Sequence, residues 1–217
     1  MNRSEIIQRL VDPGVIAVVR AQNAEQVPPL TEALLAGGVI AVEITMTTPN
    51  AIAAIRAAAA RFGDRALLGV GTVLDAATAQ AALEAGAQFV VSPIARLELV
   101  AVVHAADRPV MLGAYTPTEA QAVHESGADF VKIFPADGLG PGYIKALRAP
   151  LPHLKIIPTG GVDANNAAEW IKAGCAALGA GSCLVSAKIL QEANWTELTR
   201  LAADFVQKVR TARAPKT

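Results

Sequence analysis

Aromatic side chains are scarce in this sequence: Phe, Tyr and Trp together make up 4% of its 217 residues. A β-sandwich core usually rests on more rings than that. The interior must therefore be built from Ala, Val, Ile and Leu, which fits helices packed on a buried parallel sheet. Surplus positive charge is missing too. Nineteen Lys and Arg face nineteen Asp and Glu for a net charge of zero, whereas a nucleic-acid footprint needs extra cations to neutralise phosphates. Charged residues reach only 18% against 53% hydrophobic, the reverse of a disordered chain. No apolar stretch attains the ~18 residues of a membrane span without a charge, Gly or Pro breaking it. The opening MNRSEIIQRL holds no apolar signal-peptide core. Cysteine is limited to Cys175 and Cys183, eight apart, with no CxxC and no His at ligand spacing. Two reduced thiols are expected there, not a disulfide or a zinc site. These absences leave a soluble cytoplasmic chain, with neither nucleic acid nor membrane as a partner, as the expectation.

What is present is a regular alternation. Short β-branched runs at Val15–Arg20, Val39–Thr45, Ala66–Val70, Phe89–Ser92, Val110–Gly113, Phe130–Phe134, Lys155–Thr159 and Ala176–Gly179 read as strands. They are apolar throughout, as strands covered on both faces are. Helical patterns lie near Ala24–Ala36, Ala51–Arg61, Ala76–Ala85, Arg96–Ala106, Pro117–Ser126, Tyr143–Ala149, Ala167–Ala173 and Thr196–Arg210. Eight βα units in this length favour an α/β fold of the (β/α)8 TIM-barrel type, as one domain over residues 1–217. Gly37, Gly86, Gly127 and Gly174 each end a helix just before a strand, and each fits the left-handed C′ position. Ile6, Ile7, Leu10 and Val11 share one helical face ahead of the turn Asp12-Pro13-Gly14. Residues 1–14 thus read as a short N-terminal helix and turn under the barrel. Residues 211–217 are expected to fray.

In such a barrel, chemistry gathers at the C-terminal strand ends. Lys132 lies inside the apolar run Phe130–Phe134 and Glu43 inside Ala41–Ile44. Burying an ammonium is costly and favours the neutral amine, the form that Schiff-base chemistry with a ketone requires. A buried carboxyl can shuttle protons as a general acid and base. The plainer alternative is a lysine whose stem follows the barrel wall and whose head meets solvent or a carboxylate, giving an ion pair of little net stability. Thr159-Gly160-Gly161 and Gly179-Ala180-Gly181-Ser182 follow the last two strands. Their bare N–H groups suit a phosphate, though plain turn chemistry would also place Gly there. Arg20 ends the first strand and could grip a carboxylate or a phosphate through its planar fork. Thr45, Thr72, Pro93 and Phe134 complete the strand ends. His104, His124 and His153 fall away from those ends, and no cluster has metal-ligand spacing.

Taken in order, VEIT (42–45), GVGTV (69–73), VSP (91–93), TPTEA (116–120), VKIFPA (131–136), GPGYIKAL (140–147), PTGGV (158–162) and GAGS (179–182) span nearly the whole chain. The chain thereby resembles the class I 2-keto-3-deoxy-6-phosphogluconate (KDPG) aldolases. That family includes the 4-hydroxy-2-oxoglutarate and 6-phosphogalactonate enzymes. The resemblance implies a Schiff base on Lys132 and proton shuttling by Glu43. It implies phosphate held by the two glycine-rich turns and a pyruvoyl carboxylate beside Thr72. It further implies a homotrimer without cofactor or metal, acting on a phosphorylated keto-deoxy sugar acid and releasing pyruvate. The sequence departs from the family pattern in three places. Val70 replaces the alanine of GAGTV, Leu112-Gly113-Ala114-Tyr115 replaces an expected Pro-Gly, and Thr47 stands where some members carry arginine. Carboxylate recognition would then fall to Arg20. Two rival readings of the same residues are a phosphate-binding barrel isomerase or synthase with Lys132 merely electrostatic, and a non-catalytic sugar-phosphate binding module.

Overall fold

The computed structural model describes residues 1–214. Eight strands form one parallel sheet: β1 (Val15–Val19), β2 (Ala41–Thr45), β3 (Leu67–Gly71), β4 (Phe89–Val91), β5 (Val110–Ala114), β6 (Phe130–Ile133), β7 (Ile156–Pro158) and β8 (Leu178–Ala180). Each pairs with the next, β1 also pairs with β8, and a bridge between Thr159 and Gly179 joins β7 to β8. The result is the (β/α)8 barrel that the alternation of patterns predicts. Strand ends move by a residue or two from the apolar runs, as at β2, which starts at Ala41 instead of Val39.

Every strand residue is buried, but the two faces of the sheet meet different partners. Outward side chains such as Val19, Ile44, Val70, Leu112 and Ile133 pack under the helices. Inward ones, including Ile16, Leu67, Phe89, Met111, Phe130 and Ile157, form a separate plug with Ile6 and Leu10 of α1 (Arg3–Val11). That helix starts at a capping box: Glu5 N–H donates to Asn2 Oδ1 at 3.0 Å and Asn2 N–H donates to Glu5 Oε2 at 2.8 Å. The lower half of the barrel is thus solid hydrocarbon. Only its upper end is open for polar groups.

The remaining helices are α2 (Val27–Ala36), α3 (Ala51–Phe62), α4 (Ala76–Glu84), α5 (Leu99–Ala105), α6 (Pro117–Glu125), α7 (Gly140–Arg148), α8 (Ala167–Lys172), α9 (Ala187–Glu192) and α10 (Trp195–Arg213). The pattern near Ala24 splits into a 3₁₀ turn over Ala24–Gln26 and then α2, because prolines in the first turn of α2 suit the start of a new helix. For the same reason α7 begins at Gly140, three residues before Tyr143. The six-residue α9 carries too little periodicity to stand out in the sequence. Among the described residues, no helix is long and apolar enough to cross a membrane.

Two expectations about chain ends need correction. Gly86, Gly127 and Gly174 do take positive φ, but after α2 the left-handed residue is Gly38 (φ 86°), not Gly37. Gly37 keeps an ordinary φ of −86°; it is small because a Cβ there would overlap Ala202 and the Thr199 carbonyl of α10. The fraying expected from residue 211 does not begin there. The helix runs on to Arg213, whose guanidinium donates to Val11 O at 2.6 Å and Ala176 O at 2.7 Å. Residues 215–217 of that expected tail lie outside the described residues.

Candidate active site

β2 and β6 stand four strands apart in an eight-strand ring, so they face each other across the barrel. Glu43 and Lys132 both point inward and meet at the axis, with Lys132 Nζ donating to Glu43 Oε1 at 3.4 Å. Both are buried, with 3% of Glu43 and 5% of Lys132 exposed. Gly71 makes the space: a Cβ on that residue would overlap the Glu43 carboxylate. Above the pair, Phe134 presents its ring with the centroid 5.4 Å from Lys132 Nζ, within range of a cation–π contact. An amine and a carboxylate within proton-transfer reach, shielded from bulk water, form the floor of the open end.

One wall of this end is an anion cradle. A cavity of about 190 Å³ is lined by Val18, Arg20, Phe134, the Thr159–Asp163 turn and Gly181–Cys183. Gly160 (φ 96°) and Gly161 (φ 68°) are consecutive left-handed residues, a conformation that only glycine adopts without strain. Among the described residues, the N–H groups of Gly161 and Ser182 donate to no other backbone group and remain open to an anion. Gly179 is obligatory for another reason, since a Cβ on it would overlap the Thr159 hydroxyl. The Arg20 guanidinium reaches to 3.9 Å from where a Cβ on Gly181 would stand. Arg20 thus borders the glycine-rich turns after β7 and β8.

The opposite wall comes from the ends of β3 to β5. Thr72 holds φ 61°, a strained value for a β-branched residue, and its neighbour Val73 donates to Val91 O at 3.1 Å. Pro93 turns its carbonyl toward Gly113, where a Cβ would overlap it. Thr45 donates its hydroxyl to Val19 O at 3.0 Å and lies 2.7 Å from the Thr47 hydroxyl, tying β2 to β1. The rim beyond is set by acidic caps. Glu119 accepts from Tyr115 N–H, Thr116 N–H and the Thr116 hydroxyl at 2.8–2.9 Å, and these bonds hold its carboxyl below the usual range. Asp75 is lowered in the same way by Thr78.

Gly71, Gly113 and Asp163 belong to the site although sequence reasoning did not single them out. Cys183 does as well: its thiol donates to Val162 O at 2.9 Å beside the cradle. Burial, with Asp163 adding to it, pushes that thiol up. The three histidines sit elsewhere, His104 against Asp129 at 2.9 Å and His124 stacked near His153. Among the described residues no group of three His, Cys, Asp or Glu could hold a metal. A larger groove of about 610 Å³ lies between α4 and α5, but its polar residues Gln80, Glu84 and Arg108 are none of them buried. It has no counterpart to the axial pair.

An axial lysine and carboxylate beside two glycine-rich turns, at the C-terminal end of a (β/α)8 barrel, are equipped for amine and proton-transfer chemistry. The chain belongs to the KDPG and KHG aldolase family, whose model matches residues 6–201. It is therefore an aldolase, a lyase. It is 37% identical over 199 residues to the 2-dehydro-3-deoxy-6-phosphogalactonate aldolase of Escherichia coli K12, covering 91% of this chain and 95% of that one. A cube-shaped cage designed by fusing symmetric oligomeric domains superposes with a TM-score of 0.85 at 35% identity, covering 92% of this chain and 73% of that chain. A Legionella pneumophila KDPG aldolase, with pyruvate captured as a covalent carbinolamine, superposes with a TM-score of 0.82 at 32% identity, covering 88% and 92%.

Proposed function

We propose that this chain is a class I aldolase that cleaves 2-keto-3-deoxy-6-phosphogluconate to pyruvate and glyceraldehyde 3-phosphate through a Schiff base on Lys132. The observation that carries the reading is the buried 3.4 Å contact between Lys132 Nζ and Glu43 Oε1, set beside an anion cradle. Glu43 takes the ammonium proton, and the freed amine attacks the C2 ketone to give a carbinolamine. Proton return from Glu43 expels water and leaves an iminium. Glu43, directly or through a water, then removes the C4 hydroxyl proton. The C3–C4 bond breaks, its electrons pass into the iminium to form an enamine, and the aldehyde departs with its phosphate. Protonation at C3 and hydrolysis release pyruvate and restore the lysine. Gly160, Gly161, Gly179, Gly181, Ser182, Thr159 and Arg20 hold the phosphate. Thr72, Pro93 and Thr45 shape the pyruvoyl end, and Phe134 covers the amine.

The name of the E. coli relative supports a second reading, the same chemistry on the 6-phosphogalactonate epimer. 4-Hydroxy-2-oxoglutarate is the third candidate. A coupled pyruvate-release assay on all three substrates separates these. Borohydride with pyruvate tests the chemistry: a stable pyruvyl adduct on Lys132 is expected, and its absence would sink the mechanism. The cytoplasmic enzyme is further proposed to act as a homotrimer. Leu74, Ile94, Leu97 and Tyr115 are 40–45% exposed on the consecutive loops after β3, β4 and β5, an apolar patch suited to a neighbouring copy. Light scattering on wild type and L97E tests it, with a trimer expected for the first and smaller species for the second.

A further inference from the structure

The two left-handed glycines of the anion cradle are held by a device that lies outside the cavity's own catalytic groups. Asn166, just before α8, donates from its amide nitrogen to Gly161 O at 2.7 Å and accepts from Asp163 N–H at 2.9 Å. Asp163 answers by accepting from Asn165 N–H at 2.7 Å and Asn166 N–H at 3.1 Å through its carboxylate. One side chain therefore spans both ends of the segment that follows Gly160. Glycine adopts left-handed and right-handed φ with similar ease, so a Gly-Gly pair does not stay in one conformation unless its flanks are tied. The Asp137 backbone blocks one side, where a Cβ on Gly161 would overlap it. The Asn166 amide secures the other by occupying the Gly161 carbonyl. Ala136 N–H donates to Thr159 O at 2.9 Å and Asn166 holds the Gly161 carbonyl, so the peptide between Gly160 and Gly161, which carries the Gly161 N–H, is tied on both sides.

We propose that Asn166 is a positioning residue for phosphate, fixing the Gly160-Gly161 turn so that the Gly161 N–H meets the distal phosphate of the substrate. It touches neither the reacting carbons nor the lysine. This inference rests on the aldolase reading for its substrate, but its geometry concerns only the turn. Preorganised N–H donors act because they need no reorientation when the anion arrives. A loosened turn would weaken binding of the phosphate and leave the axial chemistry alone.

The test compares wild type and N166A on a phosphorylated keto-deoxy sugar acid and on unphosphorylated 4-hydroxy-2-oxoglutarate. For N166A the expected result is a KM for the phosphorylated substrate raised roughly ten-fold, the size of one or two lost hydrogen bonds. Its kcat, and its kcat/KM on the unphosphorylated substrate, should stay near wild type. An unaltered phosphorylated KM in N166A, or equal losses on both substrates, would overturn the proposal. Pyruvate trapping by borohydride checks the fold of the variant, because pyruvate carries no phosphate; loss of trapping in N166A would make Asn166 a general folding residue and equally overturn it. Should wild type cleave neither substrate, the aldolase reading fails separately. Calorimetric titration with inorganic phosphate then still decides the turn, through weaker binding by N166A or no difference.

Discussion

The carboxylate of Glu43 fills the space that a side chain at residue 71 would need. G71A would push the carboxylate off its line to Lys132. Overpacking of this kind costs about 1–3 kcal/mol of stability. Displacing a reacting group by a fraction of its length costs more in rate, with kcat expected to fall about 10²-fold. Steady-state kinetics and denaturant unfolding on the same preparation separate the two effects. Wild-type turnover by G71A would show that the pair tolerates misalignment.

The axial pair itself gives a thermodynamic signature. K132M strands the Glu43 carboxylate in a buried position, at an expected loss of roughly 3 kcal/mol, the low end for a broken buried pair. In K132M/E43Q neither group is charged, and most of that loss should be recovered. Urea unfolding of wild type, both singles and the double completes the cycle. If the double is no more stable than K132M, the two residues are not coupled. Activity should be lost in K132M and in the double.

Acid should loosen the rim before it unfolds the barrel. The Glu119 carboxyl lies below its ordinary value of 4.5 when folded, because three donors from Tyr115 and Thr116 meet it. A depressed carboxyl contributes stability that is fully present above the unfolded value and is lost as pH falls through the folded one. E119Q should therefore melt lower than wild type at neutral pH, and the gap should close as pH drops below 4.5. Melting temperatures across that range are the measurement. A gap independent of pH would show that the charge has no part in the cap.

The two thiols should behave oppositely. Burial pushes Cys175 up to about 12, so in the folded state it should resist alkylation. Cys183 is exposed but raised above its ordinary 9.0, so labelling should be slow at neutral pH and still accelerate past 9.0. A maleimide on Cys183 would crowd the anion cradle. Activity on a phosphorylated substrate should fall with labelling while pyruvate trapping persists. Mass spectrometry identifies the modified residue, and rapid labelling of Cys175 would contradict the burial.

Much of the fold and part of the site could be read before any coordinates. Lys132 and Glu43 stood out because a charge inside an all-apolar strand is visible residue by residue. The Gly160-Gly161 and Gly179–Ser182 turns were visible because glycines cluster there. Gly71 and Gly113 were not, since the need for a missing side chain depends on what another strand places opposite: Glu43 in one case and the Pro93 carbonyl in the other. The place of Arg20 against the glycine-rich turns depends on the path of β8, not on its own strand, so it is not legible residue by residue. The Gly37-Gly38 pair shows the same limit, for a doublet conceals which member turns left-handed until the packing of α10 is known.

The anion cradle draws on residues 18–20 at one end of the chain and 159–183 at the other, and it lies where β1 meets β8. It is the seam of the ring. The axial pair, by contrast, comes from β2 and β6, strands away from that joint, which meet at the axis because the ring brings them face to face. Ligand that binds at the seam also holds the first and last strands together, and the free energy of that grip is added to the stability of the closed ring. Arg213, stitching Val11 to Ala176 from outside, fastens the same joint. A ligand in the cavity and the Arg213 side chain would thus act as two clasps on one opening.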